Sequence, residues 1–173
     1  MIIECRGKSP QIGKNCFVAP NATLVGDFTC GDDCSFWFNS VVRGDVHSIT
    51  MGDRVNIQDG AVIHCTYQKA ATVLGNDVSI GHNALVHGCT IHDHVLIGMG
   101  AIVMDGAIIE SGSIVAAGAV VLEGTIVPSG TIYAGMPAKK VKEIDKGSTI
   151  ERLQKLASNY VMYKGWFDDL KIK

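Results

Sequence analysis

An apolar residue recurs at every sixth position over most of this chain, and this period constrains the fold more than any other feature. In the second half it runs without interruption through Ile91, Ile97, Val103, Ile109, Val115, Val121, Val127 and Tyr133. Nearer the start, the same spacing links Ile12, Val18, Leu24, Cys30, Phe36 and Val42, then Met51, Ile57 and Ile63, then Leu74, Ile80 and Val86. A helix would repeat every 3.6 residues and an isolated strand every 2, so neither explains the pattern.

A six-residue unit suits one short strand and a corner, so three units make one triangular turn of a β-solenoid. Each turn pairs its backbone with the turns on either side, and the recurring apolar residues stack into a continuous core. The composition agrees with many small layers, since 47% of residues are hydrophobic, only 6% are aromatic, and 20 are glycines. The sequence therefore predicts an all-β solenoid.

Composition also limits the partners and the compartment. A chain of 173 residues with a formal net charge of -2 gives no electrostatic reason to expect nucleic acid or an anionic membrane. No apolar run approaches the roughly 20 residues of a membrane span, and the N-terminus lacks a signal-peptide layout. The six cysteines form no C-x-x-C pair, and Cys30 and Cys34 fall at inward-pointing positions. We expect reduced core cysteines in a cytoplasmic protein.

The repeat ends near residue 138, and the pattern then becomes helical. We predict a solenoid domain over residues 1–140 and a C-terminal helix, packed along a flank of the solenoid, within 141–173. Ser148 to Glu151 has the form of a capping box, and the apolar face that follows extends to about Lys164. Gly165 is expected to end this helix.

The six-residue register breaks at three places. Three extra residues lie between Val42 and Met51, five lie between Ile63 and Leu74, and one residue is missing between Val86 and Ile91. Insertions in a solenoid are expected to leave the corners as loops, and loops on a rigid scaffold often carry function.

Counting sixes assigns three histidines to faces of the prism. His64 and His87 each follow an apolar residue of the third face, so they stack about 4.8 Å apart along the axis, close enough to share one zinc ion. Arg43 falls in the same column one turn earlier. His82 stacks on Asp59 on the second face, turned by about 120°, so it can join the pair only across a threefold interface between subunits. The same packing places Asp59 opposite a neighbour's Arg43.

The six-residue repeat resembles that of the hexapeptide-repeat proteins, whose fold is a left-handed parallel β-helix. A narrower resemblance, to the γ-class carbonic anhydrases and their close relatives, rests on Arg43-Gly-Asp45, Asn56-Ile-Gln58-Asp59, His64 and Gly81-His82-x4-His87-Gly88. It implies a homotrimer in which His64 and His87 of one subunit and His82 of the next hold a metal ion. That ion is usually zinc, although histidine ligands also suit Fe²⁺ or Co²⁺.

Three neutral nitrogen ligands leave a zinc position open for water, whose pKa falls near 7, so hydroxide is available to attack carbon dioxide and give bicarbonate. By the resemblance, Gln58 orients this hydroxide. Arg43 and Asp59 hold the interface, with Arg43 also placing an anionic product, and Asp45 orients Arg43.

Two further residues are candidates for the pocket. Asn159 belongs to an Asn-Tyr pair that resembles one near the family's pocket, and Tyr67 lies in the second insertion.

Two differences from the best-characterised members of that family bear on the reaction. Val46 stands where they carry a glutamate, and the loop from Cys65 to Val73 contains no acid. Because fast hydration must export a proton in each cycle, slow or absent turnover is one expectation. The alternatives are an acyltransferase (acetyltransferase) or acyl-CoA thioesterase acting on a small-molecule substrate, and a non-catalytic trimeric assembly subunit.

Overall fold

The computed structural model describes residues 1–168 as a parallel β-solenoid of about seven turns followed by one helix, which confirms the predicted architecture. The strands of its first half are β1 (Ile2–Ile3), β2 (Phe17–Val18), β3 (Thr23–Cys30), β4 (Ser35–Phe36), β5 (Val41–Met51), β6 (Asn56–Ile57), β7 (Val62–His64), β8 (Thr72–Leu74), β9 (Ser79–Ile80) and β10 (Leu85–His87). The second half contains β11 (Thr90–Ile91), β12 (Leu96–Ile97), β13 (Ile102–Val103), β14 (Ile108–Ile109), β15 (Ile114–Val115), β16 (Val120–Val121), β17 (Ile126–Val127), β18 (Thr131–Ala134) and β19 (Lys139–Glu143). Helix α1 spans Lys146–Lys164, and a 3-10 turn follows at Gly165–Phe167.

The strands form the three faces of a prism. The second face is a sheet with the order β19-β18-β15-β12-β9-β6-β4-β2. The third face runs through β5, β7, β10, β13 and β16, and the first face runs through β5, β8, β11, β14 and β17. Every pairing is parallel except that of β18 with β19. Because the turns are in register, residues at equivalent positions form columns parallel to the axis.

The sixth-position residues point into the coil and make its core. Among them Leu24, Phe36, Ile57, Ile80 and Ile109 have no measurable solvent exposure. All six cysteines are free thiols, and Cys30 and Cys34 are buried in the core as predicted. Several corners adopt positive φ at asparagine, aspartate or glycine, the residues that accept this conformation at lowest cost.

The first insertion forms no loop, contrary to the prediction from the sequence. Residues 41–51 make one continuous strand, β5, whose first half pairs with β7 on the third face and whose second half pairs with β8 on the first face. The extra residues carry the chain around the corner in an extended conformation. The second insertion is a loop as predicted, closed by a bridge between Thr66 and Ala70.

Helix α1 begins earlier than the capping box suggested. Asp145 is the N-cap, and its side chain accepts a hydrogen bond of 2.8 Å from Ser148 N, so the helix starts at Lys146. Gly165 ends it as predicted. Of the region 141–173 assigned to the helical segment, residues 169–173 lie outside the described residues.

The helix packs on the second face against β4 and β9. The contact surface between the helix and the coil is aromatic. The ring of Trp37 contacts those of Tyr160 and Phe167, each with a centroid separation of 5.5 Å, and the ring centroid of Phe17 lies 5.2 Å from that of Trp37. At the end of the helix, Lys164 Nζ lies 2.8 Å from Asp33 Oδ1. No helix within residues 1–168 is long and apolar enough to span a bilayer.

Candidate metal centre

His64 and His87 lie side by side on the third face, as the face count predicted. They are register partners at the ends of β7 and β10. Their rings are 5.0 Å apart between centroids, and His64 Nδ1 lies 3.0 Å from His87 Nε2. The parallel ladder fixes both backbones, so the two imidazoles face each other without any loop having to order.

Each histidine directs its other ring nitrogen at a carboxylate. His64 Nε2 is 3.0 Å from Asp45 Oδ1, and His87 Nδ1 is 2.5 Å from Asp105 Oδ1. A carboxylate only accepts, so each of these outer nitrogens carries the proton. When both rings are neutral, the two inner nitrogens face each other with bare lone pairs. This arrangement attracts a cation.

The electrostatics favour this protonation pattern. Burial lowers the pKa of His64 despite its hydrogen bond to Asp45, which keeps the ring neutral at pH 7. Burial acts to raise the pKa of Asp45, but hydrogen bonds from His64 and Arg43 outweigh it and the pKa is lowered. The pKa of Asp105 is lowered in the same way, with Thr66 and His87 as donors. Both carboxylates are therefore ionised.

The pair fits a zinc ion. Two nitrogen ligands of a tetrahedral zinc at 2.0–2.1 Å are about 3.3 Å apart, close to the spacing of the two inner nitrogens. A histidine ligand whose second nitrogen donates to a carboxylate is the arrangement that orients metal-binding imidazoles and raises their basicity. Both histidines have it.

Asp105 and Thr66 were missed by the sequence analysis. Thr66 Oγ1 donates a hydrogen bond of 2.5 Å to Asp105 Oδ2 and fixes that carboxylate beside His87. A signal was present, because Asp105 occupies the column position of Gly88 one turn later. A Cβ on Gly88 would lie only 2.4 Å from Asp105 Oδ1, so the glycine leaves room for the carboxylate.

Asp45 connects the pair to Arg43. Its Oδ2 accepts a hydrogen bond from Arg43 Nη1, while its Oδ1 faces His64. The extended path of β5 around the corner brings Asp45 from the preceding turn to this position. Arg43 is about half exposed and projects from the third face.

The structure does not bring His82 to the pair within one chain. His82 is on the second face, where its Nδ1 lies 3.0 Å from Asp59 Oδ2, so these two residues stack as counted. Both side chains are partly exposed, at 38% and 43%.

Gln58 is buried on the same face, not solvated. Its Nε2 donates 3.0 Å to Asn56 Oδ1, and Asn56 Nδ2 donates 2.8 Å to Ser79 Oγ. This chain of bonds fixes the side-chain amide and leaves the Gln58 oxygen without a partner among the described residues.

A cavity of about 350 Å³ adjoins the site and is lined by Arg6, Lys8, Asp45, His47 and Tyr67, among others. Tyr67 is thus near Asp45, and the guanidinium carbon of Arg6 lies 5.7 Å from the centroid of the Tyr67 ring. His47 belongs to strand β5, not to a loop. Asn159 is on α1 and does not line this cavity.

Comparison with known proteins finds relatives that either have hexapeptide repeats or are named as carbonic anhydrases. Residues 88–123 match the family described as "Bacterial transferase hexapeptide (six repeats)". The chain is 48% identical over 153 residues to "Probable carbonic anhydrase" of Methanocaldococcus jannaschii, covering 88% of this chain and 93% of that protein. It is 38% identical over 159 residues to "Gamma carbonic anhydrase 2, mitochondrial" of Arabidopsis thaliana, covering 89% and 57%. The crystal structure of a hexapeptide transferase family protein from Anaplasma phagocytophilum superposes with a TM-score of 0.91 at 40% identity, covering 96% and 98%.

The coil and its register define a hexapeptide-repeat protein with a left-handed parallel β-helix. Within that class, the chain belongs to the γ-class carbonic anhydrase-like family. Its relatives carry the names of carbonic anhydrases and of a transferase, so it is a member of an enzyme superfamily.

Proposed function

We propose that this protein is a zinc-dependent hydro-lyase that interconverts carbon dioxide and bicarbonate at the subunit interfaces of a homotrimer. The observation that carries the proposal is the histidine pair. The inner nitrogens of His64 and His87 are 3.0 Å apart, and the outer nitrogens are held by Asp45 and Asp105. Relatives named as carbonic anhydrases, at up to 48% identity, support this reaction.

The third ligand in this proposal is His82 of a neighbouring subunit. Its place on the second face suits a threefold arrangement in which that face meets the third face of the next chain. Exposed apolar residues support the same packing. Met104 and Leu122 continue the column of His64 and His87, and Met99 continues the column of His82. Exposed apolar columns beside a candidate site are typical of an interface.

A zinc ion held by three neutral imidazoles would supply Lewis acidity, lowering the pKa of a water molecule to about 7. The protein's own residues then orient the reactants. Asp45 and Asp105 hold the imidazoles in place, and the free oxygen of the Gln58 amide accepts a hydrogen bond from the attacking water and so orients it. Arg43, half exposed beside Asp45, attracts the bicarbonate product by its charge.

Proton export limits the rate in this proposal. Val46 and the acid-free loop from residue 65 to 73 offer no carboxylate for the transfer. His47 lines the cavity next to Asp45 and is an imidazole that solvent can reach from that cavity. We expect slow hydration that added imidazole buffer accelerates.

The test measures CO2 hydration by stopped flow on protein whose zinc content is known. Wild type with one zinc per interface should hydrate CO2, and His64→Ala and His82→Ala should abolish the reaction. His92→Ala is the matched control, because His92 is an exposed histidine at the end of β11 on the first face. Stoichiometric zinc with no hydration above the buffer rate would refute the proposal.

A second candidate is an acyltransferase or thioesterase acting on coenzyme A esters. The cavity favours it, since Arg6 offers positive charge to phosphates and Asp45 joins the cavity to the histidine pair. The similarity to a hexapeptide transferase family protein agrees. Thioesterase and acetyltransferase assays on the same preparations distinguish it. A non-catalytic assembly subunit is favoured if His82→Ala dissociates the trimer and wild type has no activity in any assay.

A further inference from the structure

Three cysteines meet inside the first turns of the coil, before the turns that carry the histidine pair. Cys16 precedes β2 and Cys34 precedes β4 at the same corner, one turn apart, while Cys30 ends β3 on the adjoining face. Their three Sγ atoms all lie within 4.8 Å of one another. The hexad pattern asks only for small or apolar side chains here, so packing alone does not require sulfur at all three neighbouring positions.

The spacing suits shared coordination. Three thiolates around one zinc-like ion at about 2.3 Å are about 3.8 Å apart, so the three sulfurs need to close only slightly. Cys30 and Cys34 are buried, and Cys16 is partly exposed. Soft thiolate sets of this kind select thiophilic ions over magnesium or calcium.

An entrance exists on the side of Cys16. A cavity of about 230 Å³ is lined by Asn15, Cys16, Phe17, Lys164 and others. Lys164 is 93% buried, and its Nζ contacts the backbone oxygen of Asn15, next to Cys16, as well as Asp33. An ammonium group held here favours negative charge on the cluster.

The electrostatics of the cluster favour a thiolate at Cys16. Hydrogen bonds donated by the Cys30 and Cys34 thiols, together with the charge of Lys164, lower the pKa of Cys16 to about 3. The corresponding interaction raises the pKa of Cys30 to about 11, and the pKa of Cys34 is raised as well. A metal ion would replace the thiol protons that remain.

We propose that Cys16, Cys30 and Cys34 form a binding site for one thiophilic divalent metal ion, separate from the histidine centre. Binding exchanges the thiol protons of the cluster for three metal–sulfur bonds, with no change in oxidation state. The site would join the first and second turns of the coil at the end where α1 terminates.

The experiment titrates Cd²⁺ into fully reduced full-length protein and follows thiolate-to-cadmium charge-transfer absorption, which imidazole ligands do not produce. We expect one cadmium per chain by this signal, with release of protons in weakly buffered solution. The signal should persist in His64→Ala, which removes a ligand of the other centre. It should be lost in Cys16→Ala and Cys34→Ala.

The matched control is Cys89→Ala, because Cys89 is a buried core thiol outside the cluster. It should keep the full signal. Circular dichroism confirms that the variants are folded, and Cys16→Ser provides a second test at the partly exposed position. Absence of the signal in wild type, or an equal signal in Cys16→Ala, overturns the proposal. The proposal is also overturned if the reduced protein takes up no cadmium and mild oxidant converts two of its thiols to a disulfide.

Discussion

Asp105 Oδ1 lies 2.5 Å from His87 Nδ1, although the two residues belong to successive turns of the coil. The carboxylate therefore fixes the tautomer of His87 and directs its other nitrogen toward His64. In the proposed metal site, Asp105 is thus expected to influence how tightly an ion binds, acting through His87.

Replacing Asp105 by asparagine should weaken zinc binding about 10- to 100-fold, because the charged acceptor of the His87 proton is lost. Competition with a chromophoric chelator measures the affinity. Glu143→Gln removes an exposed carboxylate on β19, paired with Lys140, and should leave it unchanged. Equal affinities in wild type and Asp105→Asn would show that the contact has no part in metal binding.

Leu122→Lys should dissociate the proposed trimer. Leu122 is 47% exposed and continues the histidine column, so burying it at an interface contributes about 2 kcal/mol per subunit contact. Ile126→Lys is the control, since Ile126 is also exposed but lies on the first face, which the proposed packing leaves free. Sedimentation velocity should show smaller species for the first variant alone; dissociation of both would argue against the assigned faces.

The ion pair of Asp33 with Lys164 should make the docking of α1 sensitive to acid. The hydrogen bond from Lys164 lowers the pKa of Asp33, so its contribution to stability is present above about pH 4 and is lost as pH falls through the folded-state pKa. After allowance for solvent screening the contribution is about 0.5–1 kcal/mol. Thermal unfolding of wild type and Asp33→Asn should differ at pH 7 and converge in acid. Asp32→Asn removes the neighbouring carboxylate and serves as the control. The difference between its thermal unfolding and that of wild type should not shrink in the same way in acid.

Gly81→Ala should destabilise the fold by about 1–3 kcal/mol through overpacking. A Cβ at Gly81 would lie 2.7 Å from the backbone nitrogen of Met99, one turn away, where nothing flexible can yield. Gly147→Ala tests the opposite case, because its Cβ would meet only Asp145 at 3.7 Å near the start of α1. It should stabilise the helix by up to about 1 kcal/mol. Chemical denaturation compares the two, and equal effects would contradict the packing argument.

The period of six was sufficient to predict the coil and the stacking of His64 on His87, because register in a solenoid follows directly from residue counting. The same count separated His82 from the pair and placed it with Asp59. These are properties of the backbone, and the sequence determines them without knowledge of side-chain conformation.

Counting six-residue units could not predict the structure where the chain departs from the repeat, or where side chains reach from one column to the next. It predicted a loop at His47, but the extra residues fit an extended strand around a corner. It placed the helix cap at Ser148, three residues beyond Asp145. It missed Asp105, since that contact depends on the side-chain conformation of His87 and on the space that Gly88 leaves.

The length of the coil is independent of its chemistry. Beyond Asp105 the chain adds regular turns, with Ile102 paired to Val120 eighteen positions later, and these turns supply no side chain to the histidine pair. Whole turns could be inserted or removed there without moving a single atom of the histidine pair. Selection can therefore lengthen or shorten such a protein in steps of eighteen residues while leaving His64 and His87 in place.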